Sequence, residues 1–249
     1  MTLNLWGGRL GQPLFDFIRD QAQTVDIFCF QEVYNSPAAR DSERGVGTRT
    51  YSLLAEILPD FDGFFSESML DDIYFNPPAP YGIAMFVRKS VSPKRFGVHE
   101  IFQLGEEMGL PAGVPPWHRL LQFLQFELGG KTISVFNLHG MYTGGGKLDT
   151  PARIKQSTMA RRFMSEHAGE HILAGDFNLS PETESYRIIS AGLRDLVKDS
   201  GVTSTRSSHY TKEPKFADYI LATPGINIEG FAVMPNEVSD HLPLVLNFN

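Results

Sequence analysis

The chain has 249 residues, 42% of them hydrophobic and 12% aromatic, enough to bury one large core and to predict a single domain over 1–249. Its formal net charge is −7 and its pI near 5.5, which excludes a global field that gathers nucleic acid. No apolar run approaches the roughly 18 residues of a membrane span.

Met1 to Trp6 has neither the basic nor the apolar region of a secretory signal, which predicts a cytoplasmic protein, taken as monomeric by default. Thr2 to Trp6 reads as the first strand, followed by a Gly7-Gly8 turn. A helix is predicted from Pro13 to Gln23, with proline in its first turn and Leu14, Ile18 and Ala22 at helical spacing. Val25 to Phe30 is apolar on both faces and reads as a central strand. The single cysteine, Cys29, lies inside it without a basic neighbour, so it is core filler rather than a reactive thiol. The strand delivers Gln31-Glu32 to its C-terminal end, where an isolated carboxylate is costly unless paired or metal-bound.

A polar loop over 35–48 follows, carrying Arg40 and Arg44, with Arg49 just beyond it. Tyr51 to Leu58 is a helix, and 61–68, 81–88 and 94–104 are strands. Asn76 to Pro80 is a rigid connection, and Gly105 to Pro116 is a Gly/Pro-rich loop. Arg119 to Leu128 and Lys131 to Leu138 flank Gly129-Gly130, a hairpin signal, and the second arm releases His139 at its end. Thr143 to Lys147 resembles a phosphate loop but fails the pattern, since Leu148 stands where Ser or Thr is needed. Pro151 to His167 is a helix with Met159, Ala160, Phe163 and Met164 inward and Arg153, Lys155, Arg161 and Arg162 on other faces.

The buried run Ile172 to Ala174 opens through Gly175 into a turn, after which Asp176 and Asn178 stand two apart. A carboxylate and a carboxamide at a strand mouth suit phosphoester chemistry: one holds a water, the other donates to a phosphoryl oxygen. The competing reading is a simple Asx-rich turn. Pro181 to Ala191 is a short helix, and Ser204 to Thr211 is a polar loop. Phe216 to Leu221 is a strand with Asp218 in its interior. Val238 to Leu244, containing Asp240 and His241, leads into a last strand, Leu244 to Phe248.

Acidic, amide and imidazole side chains thus recur at strand ends: Asn4, Glu32, His139, Asp176, Asn178, Asp240 and His241, with Asp218 from a strand. Oxygen donors without cysteine point to a hard cation, Mg²⁺ or Mn²⁺. An imidazole that moves protons needs an orienting carboxylate, and Asp218 is the candidate for His241.

The ordered set Leu3-Asn4-Leu5-Trp6, Phe30-Gln31-Glu32-Val33, Asn137-Leu138-His139, Gly175-Asp176-Phe177-Asn178, Ala217-Asp218-Tyr219-Ile220 and Ser239-Asp240-His241 resembles the endonuclease/exonuclease/phosphatase superfamily, the deoxyribonuclease I-like enzymes. The resemblance runs from Asn4 to Phe248. It implies an α/β four-layer sandwich of two mainly antiparallel sheets packed face to face, with helices outside. It also implies metal-dependent phosphoester hydrolysis by in-line attack of water. On that likeness Glu32 is the principal metal ligand, with Asn4 beside it and Asp240 near the metal. Asp176 positions or deprotonates the water, and Asn178 binds the phosphoryl group. His241, held by Asp218, contacts phosphate or transfers a proton, and His139 stabilises the transition state or assists the leaving group.

His139 sits where apurinic endonucleases carry tyrosine, and Phe216 to Tyr219 departs from the Cys-Asp-Arg run of inositol polyphosphate 5-phosphatases. A nuclease is the expected activity, with nucleic acid as substrate; Arg40, Arg44 and Arg49 are either its phosphate track or plain solvated surface. A phosphodiesterase or phosphatase acting on a small molecule or lipid head group is the alternative. A non-catalytic module of the same fold is a third reading, disfavoured because every matched position holds a competent residue.

Overall fold

The structure, a computed structural model, describes residues 1–36, 45–72, 75–104, 117–142, 146–213 and 215–249. Its first strands are β1 (Thr2–Asn4), β2 (Ile27–Tyr34), β3 (Phe61–Asp71), β4 (Ala79–Arg88), β5 (Arg95–Leu104) and β6 (Trp117–Leu128). The rest are β7 (Lys131–His139), β8 (Glu170–Asp176), β9 (Arg194–Asp195), β10 (Asp218–Ala222), β11 (Ile228–Val233) and β12 (Leu244–Phe248). Helices are α1 (Gln12–Gln21), α2 (Thr50–Ile57), α3 (Pro151–Ser165), α4 (Glu184–Ile189) and α5 (Leu196–Ser200).

The strands form two six-stranded sheets, ordered β11-β12-β1-β2-β4-β3 and β5-β6-β7-β8-β10-β9. Each is antiparallel apart from one inner pair, β1–β2 in the first and β7–β8 in the second. Parallel neighbours finish at the same edge. So Asn4 lies beside Gln31, and His139 lies beside Asp176. The antiparallel β8–β10 pair then sets Asp218 against Asp176. This is the expected two-sheet sandwich.

Alternation along β2 divides its side chains between two cores. Phe28 and Phe30 join Leu3, Phe86 and the buried faces of α1 and α2 (Leu14, Ile18, Leu54). Cys29 joins Met85, Leu121, Leu138 and Leu173 in the core that also takes Ala160 and Met164 of α3. Burying each such large apolar side chain is worth roughly 1.5–3 kcal/mol. Between the sheets lies a polar seam. Gln31 Nε2 donates to Asn137 Oδ1 at 2.7 Å, and Asn137 Nδ2 donates to Phe30 O, Ala84 O and Gln122 Oε1 at 3.2, 3.2 and 3.1 Å. Gln122 Nε2 closes it onto Ser66 Oγ at 2.9 Å.

Several boundaries differ from expectation. β1 ends at Asn4, and a 3-10 turn over Trp6–Gly8 takes the rest of the predicted strand. β2 runs on to Tyr34, so Glu32 lies inside it, at a bulge where its φ is +57°. Gly175 is a strand residue rather than a turn, with φ of +141°, and a Cβ there would overlap the Leu138 carbonyl. Asp218 opens β10 instead of lying within it. β9, β11 and α5 were not foreseen. α3 starts at Pro151 as expected, and Thr150 caps it, its Oγ1 accepting from Arg153 N at 3.2 Å. Arg153, however, is buried and donates to the carbonyls of Met141, Gly146 and Leu148. Among the described residues no helix is long and apolar enough to cross a membrane.

Candidate active site

All eight polar residues singled out at strand ends meet at one edge of the sandwich. Asp176 is their hub. Its Oδ2 accepts from Asn4 Nδ2 at 3.0 Å and stands 3.9 Å from His139 Nε2 and 3.6 Å from His241 Nε2. Its Oδ1 accepts from the Asn178 N–H at 2.9 Å, while Asn178, at φ +52°, leaves its Nδ2 in longer contacts: 3.3 Å to Gly140 O and 3.4 Å to Asp176. The Asx turn that competed with the functional reading is therefore present, and it orients the carboxylate. Burial would raise the Asp176 pKa, but His241, Arg206 and His139 overcome it and hold the group below the ordinary carboxylate range.

Asp218 and His241 form a closely held pair. Both Asp218 oxygens lie 2.8 Å from His241 Nδ1, and Oδ2 also accepts from Thr205 Oγ1 at 3.1 Å. Burial works against an imidazolium here, yet Asp218 and Asp176 raise the His241 pKa overall. His139 behaves oppositely. Burial, helped by the Arg119 cation, pushes its pKa down to about 3. At neutral pH it is an uncharged imidazole offering one N–H.

Glu32 is half-buried, and its Oε1 accepts from Asn4 Nδ2 at 3.1 Å. Burial raises its pKa, and the Asp240 carboxylate adds to the effect. Asp240 presents Oδ2 to Arg206, whereas its buried Oδ1 has no hydrogen-bond partner among the described residues. Two crowded carboxylates and an orphaned oxygen fit a hard divalent cation. Asn4 is turned differently: its NH₂ bridges Glu32 and Asp176, and its Oδ1 takes the Trp6 N–H at 3.0 Å. It joins such a cation only if its amide rotates. Asp176, Asp218 and His241 also bring ligand-capable atoms within 4.8 Å of one another, close enough to hold a metal ion. Both Asp218 oxygens already engage His241.

Two cations went unrecognised in the sequence. Arg206 comes from the loop read only as polar. It bridges His241 through backbone pairing, donates from Nη1 to Asp240 Oδ2 at 3.1 Å, and contacts His241 Nε2. Arg119, near the start of β6, is buried with its Nε unpartnered among the described residues, and burial lowers its pKa. Both line a cleft of about 550 Å³ together with Glu32, His139, Asp176, Asn178, Asp240 and His241. Trp6, Tyr142 and His209 stand round the same cleft; Tyr142 is 54% exposed. Arg49 lies apart, lining a separate hollow and pairing with Glu56 at 2.9 Å. Arg40 and Arg44 lie outside the described residues.

The sequence profile of the Endonuclease/Exonuclease/phosphatase family matches residues 1–241. No curated protein matches in a sequence search. Among solved structures, an endonuclease/exonuclease/phosphatase from Bacteroides vulgatus superposes with a TM-score of 0.70 at 19% identity, covering 100% of this chain and 97% of that one. The mannosyl-6-phosphatase Bt3783 of Bacteroides thetaiotaomicron gives 0.68 at 19% identity over 98% and 91% of the two chains. A humanized D. rerio TDP2 gives 0.67 at 18% identity over 100% and 97%. At these identities the likeness is one of fold.

Proposed function

Because the chain belongs to the endonuclease/exonuclease/phosphatase family, we propose that it is a divalent-cation-dependent phosphoester hydrolase, with residues 1–249 acting as one catalytic domain. The observation that carries this is the convergence on Asp176. An ionised, buried carboxylate sits between a neutral imidazole, a carboxylate-held imidazole and an amide, beside an oxygen pair fit for Mg²⁺ or Mn²⁺. A bound divalent cation supplies charge neutralisation and a more acidic water.

The chain's own residues do the rest. Asp176 accepts a hydrogen bond from the attacking water and aims it. Asn178 Nδ2, only loosely engaged within the chain, donates to a phosphoryl oxygen. His139 donates an N–H rather than a charge, and Arg119 adds a fixed cation beside it. Asp218 fixes the His241 ring, so that Nε2 is the nitrogen that exchanges a proton. Asn4 holds the Glu32 and Asp176 carboxylates in mutual register. Glu32 and Asp240 would hold the cation.

The substrate reading changes from the expectation drawn on sequence. A polynucleotide track was placed on Arg40, Arg44 and Arg49, and the one of these that is described is paired away from the cleft. The described cations that face the cleft are concentrated within it, which favours a single phosphoester group entering a pocket. A nuclease is the second reading, favoured by Trp6, Tyr142 and His209 at the cleft, since bases stack on such rings. The test is a panel of p-nitrophenyl phosphate, bis-p-nitrophenyl phosphate, sugar phosphates, single-stranded and plasmid DNA, RNA and a phospholipid, with Mg²⁺ or Mn²⁺. Turnover that survives excess EDTA overturns the divalent-cation dependence, and no turnover on any substrate overturns the hydrolase reading.

A further inference from the structure

The loop over 204–211 carries a group that none of the strand-end motifs includes. Arg206 is about nine-tenths buried beside three carboxylates, Asp176, Asp218 and Asp240, which raise its pKa against the effect of burial. Its placement is over-determined. Ser207 N donates to Asp240 O at 3.2 Å, Leu242 N donates to Thr205 O at 2.9 Å, and Ser207 Oγ donates to Ser239 O at 2.6 Å. The loop is thereby stitched along the Asp240-His241 segment. The Tyr210 ring lies 4.3 Å from the guanidinium carbon and supports one face.

A guanidinium has five N–H donors. Here Nη1 meets Asp240 and His241, while among the described residues neither Nε nor Nη2 makes a hydrogen bond. If neutralising Asp240 were its whole task, the buried Nε left unpaired would cost stability with no return, while Nη2, not buried, is left facing the open side without a partner. The side chain lines the cleft that holds Asp176 and Asn178. We propose that Arg206 is a further catalytic residue, anchored through Nη1 on Asp240 and donating from Nη2 to a non-bridging oxygen of the phosphoryl group. This rests on the hydrolase reading. Arg119 and Arg206 then hold the phosphoryl group from two different elements, and charge that builds up during transfer meets donors already fixed in place.

The competing role is indirect: Arg206 would only orient Asp240, and through it the cation. The two separate experimentally. R206M and R206K are compared with wild type on p-nitrophenyl phosphate across a Mn²⁺ titration, and orthovanadate binding is measured by calorimetry at fixed Mg²⁺. Loss of one preorganised donor costs on the order of 10²–10³ in kcat. R206M is expected to lose that much at saturating Mn²⁺ and to bind orthovanadate at least tenfold more weakly, with R206K between it and wild type. Full recovery of R206M at saturating Mn²⁺, or unchanged orthovanadate affinity, overturns the proposal. Should R206M fail to fold, R206Q and R206K carry the same comparison. If wild type hydrolyses nothing in the panel, the hydrolase reading falls by itself, and orthovanadate affinity alone still decides whether Arg206 is an anion contact.

Discussion

Replacing Asp218 by asparagine tests whether the Asp218–His241 pair works as a unit. The substitution keeps side-chain volume and one acceptor for Nδ1, now 2.8 Å from both carboxylate oxygens, but removes the charge that favours the protonated ring. His241 then faces Arg206 with less compensation. Breaking one partner of a buried pair costs about 3–5 kcal/mol, and the near-isosteric change puts D218N at about 3. For a chain of this length that lowers Tm by about 6–12 °C. Loss of general acid–base function costs about 10²–10⁴ in rate, or roughly 2.7–5.5 kcal/mol at 1.36 per decade. The assay is kcat/KM on p-nitrophenyl phosphate for D218N, H241N and the double variant, with Tm recorded in parallel. Groups that act together are not additive, so the double variant should fall little below the worse single one. Additive losses on a logarithmic scale would refute the coupling.

Glu32→Gln should abolish turnover while leaving Tm within a few degrees, and it should weaken Mn²⁺ binding in calorimetry. His139 makes the fold acid-sensitive. Its pKa is about 3 in the folded state against 6.5 as reference, so the unfolded chain takes up the proton first. Stability therefore falls as pH drops below about 6.5, by about 2 kcal/mol at pH 5, and the slope should shrink in His139→Gln. His241, with a raised pKa, acts in the opposite sense. Gly175→Ala should unfold the protein or cost at least about 3 kcal/mol, since its φ is +141° and the Leu138 carbonyl occupies the space of a Cβ. Alanine at Arg40, Arg44 and Arg49 together should leave hydrolysis of bis-p-nitrophenyl phosphate unchanged. A raised KM for DNA with a reduced salt slope would restore the polynucleotide reading.

Those parts of the site written as a polar residue closing an apolar run were legible in the sequence. Asp176 stands out because it follows the apolar run Ile172–Ala174, and His139 because it ends the second arm of the Gly129-Gly130 hairpin. Glu32 was legible as a carboxylate following a buried strand, but not its position within β2, because the bulge with φ of +57° has no glycine to announce it. Arg206 and Arg119 were not legible as site residues. One charge in a polar loop, or one near a strand's start, takes its meaning from partners such as Asp240, 34 residues away. β11 escaped because Gly230 and a register shift interrupt its alternation, and β9 because two residues carry no period.

The seam of Gln31, Asn137 and Gln122 bears on how the chemistry could be lost without unfolding. Asn4 and Glu32 ride on one sheet, while His139, Asp176 and Asp218 ride on the other. A lateral slip of one residue between them is about 3.3 Å, longer than the 3.0 Å bond that joins Asn4 to Asp176. Apolar side chains alone tolerate such sliding, because dispersion has little direction. Amides do not, since each donor must find its own acceptor, and here they work as dowels between two plates. Substituting leucine for Asn137 could therefore leave both sheets intact and melting cooperatively, yet set the two halves of the site out of alignment.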